Sequence, residues 1–523
     1  MDSPQIKRAI ISVSDKIGLS AFAKGLVASG VEIYSTGGTR KHLASEGIPV
    51  RDISEYTGFP EMMDGRLKTL HPKVYGGILC RRDNQDDMNS LIEHGIVTFD
   101  LVVVNLYPFE ATVAKENVTE GEAIENIDIG GPSMLRASAK NHKFVTVVTN
   151  SEQYPQVLEQ IQIAGCTTLQ LRRSLAKDAF THTAAYDAAI SQYFIERTQE
   201  TNIFPTRLNI SFKRKDVLRY GENPHQQAAL YVNAESNSAN VVSARQLSGK
   251  ELSYNNLLDL DAALSIVRSF EKPTVSVIKH NNPCGAGSGG TMLSALKKGM
   301  EGDPLSAFGS VLGFNGPVDA ECAEYLSEPG LFVEAIIATE FSSDALEILT
   351  TKPKWKANVR LLASGCLTKT PSRWIIRPLE GGALLQEADI EKDNENNWQI
   401  VTETKPHPEQ VNDLRFAWEI VRHVKSNAIT LCKDEMLLGA GAGQMSRVDS
   451  VEIAIKKAGD RAKGSVLGSD AFFPFPDSIE RAAQIGVTAI IQPGGSRNDE
   501  AVIEACNKAN IPMIFTARRH FRH

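Results

Sequence analysis

Lys279 and His280 stand side by side where an apolar run, Val275-Ser276-Val277-Ile278, gives way to the turn Asn281-Asn282-Pro283-Cys284-Gly285. Each can carry a proton, and the imidazole does so near neutral pH. A solvated strand end and a metal site compete with that chemical reading.

A second group is suited to anions. Ser35, Thr36, Gly37, Gly38 and Thr39 follow an apolar strand pattern and open a helical one. Backbone N–H groups at such a turn point outward with the helix dipole behind them, which makes a phosphate cradle. An ordinary N-capped turn is the alternative. Ser12, Ser14 and Lys16 at the end of the preceding strand tip the balance, because ligands gather beyond the carboxyl ends of parallel strands.

Further candidates follow along the chain. Asp64-Gly65-Arg66-Leu67-Lys68-Thr69-Leu70-His71 offers two cations, a hydroxyl and an imidazole, or a solvated basic turn. Asn105 to Phe109 puts the Tyr107 phenol at a strand end, where a rim aromatic is the plainer reading. Asp128, Gly130 and Gly131 precede Arg136 and Lys140, whose spacing sets both cations on one helix face, either functional or solvated. Later come Arg219, Tyr220, Asn223 and His225 around a turn, then Asn427, Arg447, Asp470, Phe473 and Asp477, and a basic aromatic tail that reads by default as a disordered terminus.

Two patterns fail. Gly285 to Gly290 fits a dinucleotide-binding glycine string, but Lys279 to Cys284 separates it from its strand and no acid ends the next strand. His407-Pro408-Glu409 fits half of a zinc-deaminase signature without its cysteine half. No zinc or other catalytic metal is expected.

The elements that must position these groups alternate. "RAIISVS", "VEIYST", "DLVVVNLYPF" and "KFVTVVTN" read as strands with helices between, which predicts a mainly parallel sheet covered on both faces. A helix is expected over 168–197, and a polar stretch puts a domain boundary near residue 205. A second α/β series in two halves follows. The segment from Thr368 to Trp398 reads as a connector. With 523 residues, two to four domains are expected. The net charge of -7 gives no global pull toward nucleic acid or an anionic membrane. No signal-peptide pattern or bilayer-length apolar run stands out, and the seven scattered cysteines lack metal or redox spacing, so a cytoplasmic location is expected.

The strings "SVSDK", "STGGT", "GRLKTLHP", "NLYPF", "ENIDIGGPSMLRASAKNH", "LRYGENPHQ", "KHNNPCG", "DPLSAFGS", "SDAFFPFPD" and "RHFRH" occur here in one order. Together they closely resemble the family of bifunctional AICAR transformylase/IMP cyclohydrolases of purine biosynthesis, over essentially the whole chain. The resemblance implies an α/β protein: a methylglyoxal-synthase-like cyclohydrolase domain over 1–200, then a transformylase domain over 201–523 of two cytidine-deaminase-like halves without zinc. It implies formyl transfer from 10-formyltetrahydrofolate, a co-substrate, to AICAR, closure of the product FAICAR to IMP, and a homodimer.

Residue roles follow from the same resemblance. Ser12, Ser14, Lys16, Ser35 to Thr39, Arg66, Thr69, Asn105, Ile129 and Gly130 are expected to bind the cyclohydrolase substrate. Lys68, Tyr107, Asp128 and Lys140 are expected to move protons and stabilise charge. For formyl transfer, His280 is the expected base and Lys279 the expected acid or electrophile, with Asn427 positioning. Arg219, Tyr220, Gly309, Glu334, Arg447, Phe473, Asp477 and Arg519 complete the expected binding set. A structural potassium ion near Val424 to Ser426 is implied without a residue pattern of its own. Arg518, Pro476 and Ser478 depart from expected family residues, and Arg518 is expected to face solvent. The competing functions are a nucleotide-binding regulatory protein and a methylglyoxal-synthase-like activity. Tyr107, Asp128 and Lys140 weigh against a sensor, which needs a phosphate cradle but no proton shuttle.

Overall fold

Apolar, β-branched runs that carry no alternation should be buried on both faces of a sheet, and they are. The computed structural model describes residues 3–63, 66–115, 117–195, 197–198, 204–233, 238–367 and 374–523. It divides into two units, Met1–Ser211 and Phe212–His523.

In the first unit, strands β1 (Arg8–Val13), β2 (Glu32–Ser35), β3 (Arg51–Asp52), β4 (Leu101–Asn105) and β5 (Thr146–Val148) form one parallel sheet in the order β3-β2-β1-β4-β5. Ile10, Ile11, Val102 and Val103 are almost wholly buried. Helices cover the sheet through narrow apolar stripes. Leu19–Ala28, for example, buries Leu19, Phe22, Ala23 and Leu26. The long helix Leu169–Ile195 is the one expected at 168–197. Because every strand runs the same way, the segments after Val13, Ser35 and Asn105 emerge at one edge.

The second unit is built on a twelve-stranded sheet with an internal repeat. One half runs Arg245–Ser248, Arg360–Ala363, Val333–Ala338, Ser310–Phe314, Thr274–Lys279, Asn282–Ser288. The other runs Gln399–Ile400, Met513–Phe515, Ala489–Gln492, Val466–Ser469, Ile429–Lys433, Met436–Gly441. Both have the same sequence of antiparallel and parallel pairings, and they join where Gly287 stands opposite Met436. The repeat is visible in residues: Lys279 and Lys433 each precede a turn, and each turn leads into Gly-Ala-Gly, at 285–287 and 439–441. A helix crosses those glycines closely. A Cβ on Gly285 would lie 2.0 Å from Gly299 O, and one on Gly439 would lie 2.3 Å from Ala454 O.

The expected connector is only partly one. Trp374–Leu379 and Gly382–Glu387 pair as a two-stranded hairpin of their own. Its Glu380-Gly381 turn and alternating residues are hidden by the Pro, Gly and charge content of the region. A second separate hairpin, Lys213–Leu218 with Ala228–Val232, carries the turn with Arg219 and Tyr220. No helix among the described residues is long and apolar enough to cross a membrane.

Candidate active sites

The carboxyl edge of the first sheet gathers most of the expected cyclohydrolase residues. Asn105, the last residue of β4, accepts hydrogen bonds through Oδ1 from the N–H groups of Ser14 (2.5 Å) and Asp15 (3.1 Å), and donates to Asp15 O. Its amide therefore shapes the loop after β1. Thr39 Oγ1 bonds both the N–H and the carbonyl of Val13 at 3.0 Å, and Ser35 Oγ donates to Ile11 O. Those two hydroxyls are spent on the scaffold. Donors at the edge include the N–H groups around Gly37 and Gly38, where the helix Gly37–Ser45 begins, the Thr36 hydroxyl, which makes no cap bond, and Lys16, whose ammonium reaches Ser14 O. Gly37 has φ +54°, and a Cβ there would sit 3.2 Å from Lys68 Nζ, so Lys68 reaches the same cradle. Thr69 lies against Gly130 in the same way, 3.2 Å from a Cβ placed there.

Asp128 is fixed from several sides. Its Oδ1 accepts from Gly131 N–H at 2.8 Å, and its own N–H donates to the buried Tyr186 hydroxyl, which donates onward to Asn126 O. Burial raises the carboxyl pKa above its ordinary value, although backbone N–H groups of Gly131, Tyr107 and Gly130 and the charge of Lys68 pull it down. Tyr107 is exposed just beyond the strand end, and Ile129 is exposed at the N-cap of the helix Gly130–Lys140. Arg66 and Lys68 are paired with Glu125 and Glu61, contacts that an incoming anion would exchange. Asp64 and Gly65 lie outside the described residues.

The helix Gly130–Lys140 starts beside Asp128 and carries Lys140, exposed, in its last turn. The spacing does put Arg136 and Lys140 on one face. That face is solvated, and Arg136 packs over Phe180.

In the second unit the hairpin after Lys279 turns through His280 and Asn281, at φ +51° and +62°. Two left-handed residues make the tight turn that suits the strand twist. The turn is held by Asp259, whose Oδ1 accepts from Asn281 N–H at 2.7 Å. The Lys279 ammonium donates to Phe308 O (2.9 Å) and Gly309 O (3.0 Å). Gly309, at φ +70°, is needed there because a Cβ would crowd Phe332 and the ammonium. Glu334 accepts from Asn256 and pairs with Arg360. Burial raises the Asp259 pKa, while Asn281 N–H and His280 lower it and Glu334 raises it, so these groups share one neighbourhood. His280 itself is exposed. Lys279 also borders a cavity of about 210 Å³ with Cys284, Asp303 and Lys457.

Asn427 stands next to this turn, because Lys425 N–H, two residues before it, donates to Asn282 Oδ1. Its amide is held at both ends, with a second N–H and a second lone pair to spare: Nδ2 donates to Gln444 O and Oδ1 accepts from Arg447 at 2.8 Å. Arg447 is 7% exposed and pairs with the buried Asp470 at 2.5 Å. It is therefore placed to brace Asn427, with little surface to offer a ligand. Phe473 is likewise wholly buried, while neighbouring Phe472 is 37% exposed and Asp477 stands at a helix start.

The tail is ordered, contrary to its default reading. His520 N–H donates to Asp470 O, and Ser426 N–H donates to Arg522 O. Arg519 is exposed, stacked over Phe521. Arg518 does not face solvent freely: it pairs with Asp393 at 3.3 Å, Glu391 at 3.4 Å and Asp389 at 3.6 Å. The region read as a connector supplies all three acids, a partnership that no local pattern announces.

Sequence reasoning missed Asp259, Tyr186 and these acids. Asp259 had a signal in the repeat, since Asp413 holds the matching turn by accepting from the N–H groups of Asp434 and Glu435. Tyr186 sits in a long helix without a distinguishing pattern.

Comparison with known proteins agrees with both units. Residues 138–457 match the family model described as AICARFT/IMPCHase bienzyme, and residues 18–133 match an MGS-like domain. A protein of Rhodopirellula baltica named "Bifunctional purine biosynthesis protein PurH" is 59% identical over 522 residues, covering 100% of both chains. A protein of the same name from Bacillus subtilis is 50% identical over 518 residues, 99% of this chain and 100% of its own.

Proposed function

Because the chain belongs to the AICARFT/IMPCHase bienzyme family, we propose that its second unit transfers the formyl group of 10-formyltetrahydrofolate to AICAR and its first unit closes FAICAR to IMP. The protein is a bifunctional enzyme of purine biosynthesis. The observation that carries the division of labour is the separation of the two constellations into two units.

In the first unit the cradle at Gly37 and Gly38, with Lys16 and Arg66, holds the nucleotide phosphate. The carboxamide nitrogen then attacks a formyl carbon on the same molecule, so orientation supplies much of the rate, up to roughly 7–11 kcal/mol. Asp128, with its raised pKa, takes the amide proton and passes it to the formyl oxygen, and the formamide N–H, lost as the ring C=N forms, supplies the second proton of the departing water, with Tyr107 alongside. Lys68 stabilises the oxyanion. Lys140, exposed in the last turn of the helix Gly130–Lys140, is the second cation for the oxyanion.

In the second unit Lys279 is aimed by two carbonyls at the edge of the His280 turn, where it polarises the formyl oxygen. His280 accepts the proton of the attacking amine. Asn427, braced by Arg447, positions the nucleotide. The exposed Arg219 and Arg519 and the half-buried Tyr220 supply groups for its phosphate.

Two further parts of the reading concern what binds the chain. Asp470 keeps Oδ2 buried without a hydrogen-bond partner, beside the loop of Ser426. Such an oxygen suits a potassium ion, which would add positive charge and tie the tail to that loop. A homodimer in the cytoplasm is the proposed state. Ile375, Leu379 and Leu384 on the separate hairpin are 46%, 51% and 55% exposed, a patch that favours a protein partner.

The test is a single incubation of protein, AICAR and 10-formyltetrahydrofolate, following tetrahydrofolate and IMP. Both should appear. Tetrahydrofolate with accumulating FAICAR would refute the first-unit assignment, and absence of both would refute the whole reading.

A further inference from the structure

The imidazole of His520 is fully buried between two carboxylates. Nδ1 lies 2.5 Å from Asp389 Oδ2, and Nε2 lies 3.0 Å from Asp393 Oδ2. A ring that bonds a carboxylate at each nitrogen must donate from both, so it is held as the cation. Asp393 also accepts from Trp418 Nε1 at 2.5 Å, and the Trp418 ring packs on the imidazole at 5.0 Å. Arg422 pairs with Asp389 and Glu419, and Arg518 with both clamp acids. The clamp thus joins three parts of the chain: the 389–393 segment, the helix Pro408–Val421 and the tail.

On the tail, His520 is flanked by Arg519, and its N–H holds Asp470 O. Asp470 holds Arg447, which holds Asn427. We propose that His520 is a positioning residue for the formyl-transfer site: clamped by Asp389 and Asp393, it fixes the tail so that Arg519 meets the nucleotide phosphate and the Asn427 loop keeps its place. This rests on the transformylase reading above, in which Arg519 and Asn427 face the nucleotide.

The consequence is a split in kinetic constants, since His520 touches neither substrate. In the full-length enzyme, His520→Asn should raise the KM for AICAR about tenfold or more while kcat stays within about threefold. Cyclisation of supplied FAICAR should not change. The intrinsic fluorescence should change, because Trp418 loses its charged neighbour. Asp389→Asn, at the more exposed side of the clamp, should move the same KM in the same direction by less. It serves as the second variant should thermal unfolding reveal that His520→Asn does not fold. A wild-type KM in a folded variant with altered fluorescence would overturn the proposal, as would a fall in kcat with KM unchanged. If the wild-type enzyme releases no tetrahydrofolate, the transformylase reading fails instead, which keeps the two failures apart.

Discussion

Asp259 holds the backbone of Asn281 through a 2.7 Å hydrogen bond, and with it the left-handed turn that presents His280. The proposed base is therefore placed by a carboxylate from a preceding helix and not by its own strand alone. Asp259→Ala frees the turn without touching Lys279. Transformylase kcat should fall about 10- to 100-fold, with FAICAR cyclisation unchanged. Separate assays of the two steps check this, and a loss of both would mean that Asp259 matters for something other than the turn.

Lys68 and Lys140 should both matter to cyclisation. Lys68 reaches the cradle at Gly37, and Lys140 is exposed in the last turn of its helix. Lys68→Met and Lys140→Met should each cost about 100-fold or more in cyclohydrolase kcat/KM. A loss under about threefold for either would remove that lysine from the scheme.

The acid limb of the cyclohydrolase pH profile should lie above the range of an ordinary carboxylate. Burial raises the Asp128 pKa, and the base must be ionised to accept a proton, so activity falls as pH drops through that raised value. Lys68 lowers the same pKa. The residual activity of Lys68→Met should therefore lose its charge-dependent limb at still higher pH. A limb that stays put or moves down would remove Asp128 as the base.

Arg447 should behave as a brace. Its guanidinium is buried against Asp470, Ser469 and Asn427. Arg447→Met leaves the Asp470 charge buried and unpaired, a change that costs roughly 3–5 kcal/mol when a buried ion pair is broken. The second unit should unfold at lower denaturant, and formyl transfer should be lost. Unchanged stability with a raised KM alone would restore Arg447 as a direct ligand.

Much of the first unit is legible in the sequence because its strands are continuous apolar runs and its motifs follow directly after them. Ser12 to Lys16, Ser35 to Thr39 and Asn105 to Tyr107 must meet at one edge once the sheet is parallel. The second unit hides more. Its brace at Arg447 and its clamp at His520 depend on partners far away in the chain, from Asn427 and Asp470 to Asp389 and Asp393. Its charge makes the 389–393 segment look like linker, although its acids are what the basic tail requires.

The most direct test of two independent sites on one chain is to give the His280→Ala enzyme each substrate set in turn. With AICAR and 10-formyltetrahydrofolate, formation of tetrahydrofolate should fall by about 10²–10⁴. With FAICAR alone, IMP should form at the wild-type rate. An enzyme that loses both reactions, or that keeps formyl transfer near wild type, would contradict the account.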